Sequence, residues 1–415
     1  MKPCHRHACG LVLAVLLGAT SVRAIQWIGS DGDVFNAATS WNGGIPPSGS
    51  NSVAEFDGYV GAVVIQLSHT VGTLRYGEGF SGGGFIVRNG GSLALINGVV
   101  NNSVVSPEFS VRNGILFFTG NAPKLGDAAI TVESAGLLKL FTANHPDGAA
   151  ARVNLVGGAI GMNNVTDGGS VSIGELKGTA GTVGLPGVAL TVGALGTNAT
   201  FAGTINSAGA VTKVGDGTWT LTGANTYTGP TLISAGTIKI NNASGSAFGT
   251  GKVTIGSDGR LTGAGAFTGA LENNGVYAPG NSPALVTLSS FSQGATGILE
   301  MEIAGLARGA GYDALNITGA LTFDGTLRVL FIDGFTPEAG QSFDLFDFDN
   351  VSGAFDALDL PTLLGGLQWD ASDLYTTGTL GIIAGTVPEP GACAALFGGV
   401  ALFIALLRRV RGGSR

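Results

Sequence analysis

Cysteine is nearly missing from this chain. Its three copies, Cys4, Cys9 and Cys393, all lie in terminal segments, so the body from about residue 25 to 387 has none. That excludes a disulfide, a thiol nucleophile and a Cys-ligated zinc there. Histidine is as scarce. His69 and His145 are the two in the body, and each reads as a loop residue, because a His metal site would need carboxylates from elsewhere. Charge is sparse too, at 12% of 415 residues, with 13 Lys/Arg against 27 Asp/Glu in the body and a net charge near −14. Such a body should repel nucleic acid and anionic lipid. Outside the two ends no long stretch carries apolar residues at helical spacing.

Glycine and aliphatic residues are what the chain has. Gly occurs 72 times and hydrophobic content is 44%. A Gly period of three, which would mean collagen, is absent, and a disordered chain would not carry this much apolar material without collapsing. Asn-Gly and Asp-Gly pairs punctuate the sequence at Asn89-Gly90, Asn113-Gly114, Asp216-Gly217, Asp258-Gly259 and Asp324-Gly325. Between them lie Val-, Ile-, Thr- and Leu-rich runs of strand length, such as Ala62–Leu67, Ser92–Ile96 and Ile115–Phe118. The expected fold is all-β, built of units that bury their faces only against neighbouring units.

The ends are different material. Lys2 and Arg6, the apolar run Leu11–Ala19 and then Val22-Arg23-Ala24 have the order of a secretory signal peptide cleaved by signal peptidase after Ala24. At the other end Val387, Pro388, Glu389 and Pro390 precede an apolar run over 391–407 and the basic stop Arg408, Arg409 and Arg411. That run is at the short limit for a membrane helix, and the arginines would stay cytoplasmic. These three elements in this order resemble the PEP-CTERM sorting signal over about the last 28 residues. The resemblance implies a transient hold in the inner membrane and processing near Pro388–Pro390 by an exosortase-type membrane peptidase. The alternative is a permanent tail anchor.

Residues 209–240 carry the sharpest internal pattern: Lys213-Val214-Gly215-Asp216-Gly217-Thr218, then Leu221-Thr222-Gly223-Ala224-Asn225-Thr226-Tyr227-Thr228-Gly229, then Gly236-Thr237-Ile238. This resembles the autotransporter-associated β-strand repeat, with Trp219 standing where a smaller aliphatic is usual. The resemblance implies a right-handed parallel β-helix in a surface-exposed, passenger-like region. The expected organisation is a signal peptide at 1–24, an N-terminal cap at 25–60 opened by Trp27 and Trp41, and a β-solenoid at 61–278. A β-rich terminal module at 279–385, sandwich-like, and the sorting segment at 386–415 follow.

Catalytic motifs are weak. Gly77–Gly82 fits GxGxxG and Gly79–Gly83 fits GxSxG, but glycine is so frequent that chance supplies such matches, and no strand-to-helix context follows. Glu300 and Glu302 fall on one strand face, about 7 Å apart by strand rise, within the span of paired catalytic carboxylates; a solvated outer face is the ordinary reading. The acidic stretch Asp344, Asp347, Asp349, Asp356 and Asp359 lacks calcium-loop spacing. No cofactor or metal is expected. The sequence therefore points to an exported, non-catalytic surface or extracellular-matrix protein of structural or adhesive type. Extracellular polysaccharide is the candidate partner, with Trp219 and Tyr227 as candidate sugar contacts. The competing class is a carbohydrate-active β-helix enzyme, a lyase or hydrolase.

Overall fold

The structure, a computed structural model, describes residues 24–26, 35, 37–42, 45–57, 59–119, 125–140, 144–145, 148–162 and 169–385. The signal segment before Ala24 and the sorting segment from 386 lie outside the described residues. Among the described residues, helix is limited to a short 3-10 turn at Ala38–Ser40, and no helix is long and apolar enough to cross a membrane. The rest is strand and turn, coiled into a parallel β-solenoid.

Three parallel ladders run along the coil. The first passes through Ser68–Tyr76, Ser92–Asn101, Ile115–Phe118 and Leu137–Leu140. The second and longest starts at Tyr59–Ile65 and ends at Ala357–Asp359. The third starts at Asn144–His145 and ends at Val351–Gly353. Alternation decides which side chains go inside, since successive Cβ atoms point to opposite faces. On the first ladder Leu93, Leu116, Leu138, Ile160, Val183 and Ile205 stack in register, all buried. On the second, Val63, Phe85, Phe109, Ile130, Val153 and Leu176 do the same. Each rung covers the apolar face of the one before, so one continuous core fills the tube.

Both body histidines sit on strands rather than loops. His69 is in the first ladder, opposite Leu93, with its ring 5.1 Å from that of Phe35. Burial lowers its pKa. His145 pairs with Val171. At the N-terminal end Phe35, Trp41 and Phe56 pack edge to face, and the Trp41 indole N–H donates to the Phe35 carbonyl at 2.6 Å.

No change of architecture occurs at residue 279. Tyr277 pairs with Leu299, and Leu299 with Leu327, so the long ladder crosses that position unbroken. The expected sandwich is instead more solenoid, because Ile298–Ile303 keeps the same inside-outside alternation as the rungs before it. Two small sheets flank this end. One is parallel, Leu285–Leu288, Ala314–Ile317 and Phe346–Phe348. The other is antiparallel, Ser342–Asp344, Thr379–Ala384 and Leu367–Asp370.

Asp313 ties the parallel side sheet to the long ladder. Fully buried, it accepts the Ala284 N–H at 2.7 Å on Oδ1 and the Glu302 N–H at 2.8 Å on Oδ2. Burial pushes its carboxyl up to about 7, the two N–H groups oppose this, and Glu302 and Glu300 add to it. The folded chain therefore holds this proton more tightly than the unfolded one. Its contribution to stability is full below about pH 4 and is lost as pH rises through 7. The thermal midpoint of wild type relative to Asp313→Asn should fall across that window. A difference that stays flat from pH 4 to 8 would rule this out.

Candidate ligand-facing surface

The third ladder has an unusual outer face. Register aligns Ser172, Thr191, Thr212, Leu232, Thr254, Glu272, Ser292, Thr322 and Ser352 in one outward row. Seven of these nine carry hydroxyls, and adjacent rungs lie about 4.8 Å apart. The inward partners in the same strands, Leu190, Val211, Val253, Leu271 and Phe291, are buried, which fixes the hydroxyls outside. On one flank Ala189, Ala210, Ala270 and Ala320 stand beside the row, with Pro230 and Lys252 in the same column. The result is a strip in which most outward side chains carry a hydroxyl, those of Thr322 and Ser352 lying 2.9 Å apart. Two features break it. Leu232 is exposed, and Lys252 pairs with Glu272, whose carboxyl is lowered by that bond and by Asn274.

The corner behind this strip is held from inside. Lys213 lies in an inward column between Val192 and Ile233 and is 1% exposed. Its ammonium donates to the carbonyls of Val214 at 2.8 Å, Gly215 at 2.6 Å and Ala235 at 3.3 Å. Further along the column Gln293 does the same for the carbonyls of Gly297, Asp324 and Thr326. Asn225 joins three rungs, accepting the Ile205 N–H at 2.7 Å and donating to the Ala247 carbonyl at 2.6 Å. Gly215 has φ of +69°, and a Cβ there would meet the Gly193 carbonyl oxygen at 2.3 Å, so the turn after Lys213 demands glycine.

Trp219 and Tyr227, expected to touch sugar, do not face solvent. Trp219 is 2% exposed and Tyr227 1%. The Trp219 indole N–H donates to the Leu176 carbonyl at 2.9 Å, and the Tyr227 hydroxyl shares a 2.5 Å hydrogen bond with Thr231. Both belong to the core. Ala24 begins the strand Ala24–Gln26, opposite Val53. Val387, Pro388, Glu389, Pro390, Arg408, Arg409 and Arg411 lie outside the described residues.

Glu300 and Glu302 do share the outer face, but Glu300 is bound to Arg260 at 2.6 Å and also faces Arg328, which reaches on to Asp359. Glu302 is raised by burial and by Glu300. This is an ion-pair ladder along the rod rather than two carboxylates across a cleft. Asp344 of the acidic stretch pairs with Arg308. Among the described residues no three His, Cys, Asp or Glu side chains stand close enough to hold a metal ion. The hydroxyl strip escaped the sequence reading because rung length varies, from 18 residues between Thr254 and Glu272 to 30 between Ser292 and Thr322.

Comparison with known proteins gives two matches. Residues 211–240, the segment holding Lys213, Trp219, Asn225 and Tyr227, match the Passenger-associated-transport-repeat. Over 231 residues, 49% of this chain, the sequence is 29% identical to the protein described as "Adhesin BmaC autotransporter" from Brucella suis biovar 1 (strain 1330). The chain spans only 6% of that protein's length.

Proposed function

We propose that this chain is an exported, non-catalytic surface protein of adhesive or structural type, whose rigid solenoid presents a hydroxyl strip to extracellular polysaccharide. The strip carries the reading. Hydroxyls repeated at the rung spacing can exchange hydrogen bonds with a polymer laid along the rod, each weak and additive through repetition. The similarity to an adhesin supports the surface setting, and the repeat match supports a passenger-like body. Sorting through the Val387–Pro390 segment, with a transient hold in the inner membrane, belongs to the same proposal.

Two experiments test it. Intact mass of the protein taken from its native cell surface should fit a start at Ile25 and an end near Pro388–Pro390. A mass retaining the apolar tail would replace sorting with permanent anchoring. Binding of that protein to the host's own matrix polysaccharide should weaken about tenfold or more in the triple variant Thr212→Val, Thr254→Val, Ser292→Ala, from three lost hydrogen bonds at roughly 0.5–1.5 kcal/mol each. The changes preserve shape and strand preference, so folding should survive. Absence of binding by wild type would end the polysaccharide reading.

A further inference from the structure

A groove of about 520 Å³ opens on the outer face of the long ladder, away from the hydroxyl strip. Register sets Ala62, Gly84, Glu108 and Ala129 in one outward column, with Ile86, Ser110 and Thr131 in the next. The hollow is built in. A Cβ at Gly84 would sit 2.0 Å from the Glu108 carbonyl oxygen, so no side chain can fill that place without moving the rung above. Its volume is in the range of small-ligand sites.

Glu108 is the charged group of the groove, and its neighbours along the column are glycine and alanine. Four other outward glutamates are paired with cations: Glu133 with Arg112, Glu175 with Lys177, Glu272 with Lys252 and Glu300 with Arg260. No described residue supplies one to Glu108. Ile86 and Ala62 offer an apolar floor beside it. Thr131 offers a hydroxyl, and Ser110 keeps acceptor capacity while donating to Glu133 at 3.0 Å. An apolar floor, a hydroxyl edge and a lone carboxylate together suit a pyranose that carries an ammonium group.

We propose that this groove binds an amino-sugar unit of a glycan through its protonated amine, with Glu108 as counter-ion. The ring's C–H face lies on Ile86, its hydroxyls meet Ser110 and Thr131, and the ammonium takes the carboxylate in a charge-assisted bond. The inference rests on the reading that the outer surface contacts glycan. It adds a chemical class that the strip alone does not specify, since the strip carries hydroxyls and no unpaired charge.

The test is calorimetric titration of the exported protein with a glucosamine oligomer and with the same oligomer fully N-acetylated. The free-amine form should bind and the acetylated form should not. Glu108→Gln should weaken binding of the free-amine form about tenfold, the loss of one partly exposed charge-assisted bond. That variant changes a net charge near −14 by one, so general attraction of a polycation would hardly move. Ala129→Leu should block the groove while Glu108 remains. Equal binding of both oligomers, or an unchanged Glu108→Gln, would overturn the site. The triple hydroxyl-strip variant should leave this titration unaltered, so failure of the strip and failure of the groove read out separately.

Discussion

Trp219→Ala should destabilise the middle of the solenoid by about 3–5 kcal/mol. The indole fills the tube at a point made for it. Its register partner in the preceding rung is Ala199, and that small residue leaves room for the ring to reach the carbonyl of Leu176, 43 residues earlier. Phe201 stacks nearby, with ring centroids 6.4 Å apart. Truncation removes the ring, strands the carbonyl and leaves a void that two rungs of backbone hydrogen bonds prevent from closing. Trp219→Phe keeps much of the volume and loses the hydrogen bond, for about 1–2 kcal/mol. Because each rung packs mainly on those nearest it, the loss should appear first as local opening. Limited proteolysis should begin within 199–240 in the alanine variant, ahead of global loss of far-UV ellipticity. A cost below about 1 kcal/mol in denaturant unfolding, with unchanged proteolysis, would show that the ring is not seated as described.

The same residue shows what the sequence made legible. Thr218-Trp219-Thr220-Leu221 alternates cleanly, so Trp219 shares a face with Leu221, and two apolar residues opposite two threonines already mark the inside. Period-two alternation, glycine turns and the Lys213–Ile238 pattern were together enough for an all-β solenoid. What they could not supply was register. The outward row from Ser172 to Ser352 exists only once each rung is aligned on the next, and loops of unequal length hide that alignment. Glu108 was hidden for a related reason: its isolation depends on Gly84 and Ala129, which are distant in sequence and adjacent in the ladder. The terminal module misled by texture, since its longer strands and acidic loops cover rungs that continue those before them. Tyr227 sits in a polar stretch, and nothing in Asn225–Gly229 reveals that the turn folds its ring inward to Thr231.

Lys213 inverts the usual expectation for a charged residue, and its removal should be nearly as costly. Val211-Thr212-Lys213 alternates as a strand, which places Lys213 with Val211 on the inner face. The stem packs under Gly193, where a Cβ would come within 3.0 Å of its Cδ, and the ammonium closes off carbonyls of the corner. Lys213→Ala removes both, for about 2–4 kcal/mol. Lys213→Met keeps the stem and leaves the carbonyls without their donor, a smaller loss. Burial pulls the amine down from the ordinary 10.5 to about 8, with Asp216 pushing it back up. The unfolded chain therefore binds this proton more tightly than the folded one. Wild-type stability should rise with pH above about 8, the contribution being full only above 10.5 and lost as pH falls through 8. Buried Tyr227 and Tyr277, whose hydroxyls are raised by burial, act in the opposite sense once free tyrosine ionises near pH 10. The useful window is thus pH 8–9.5. Thermal midpoints of wild type and Lys213→Met measured across it should diverge, wild type gaining with pH and the methionine variant lacking that gain. Parallel curves would mean that the ammonium reaches solvent, and the corner would then be held by its glycines alone.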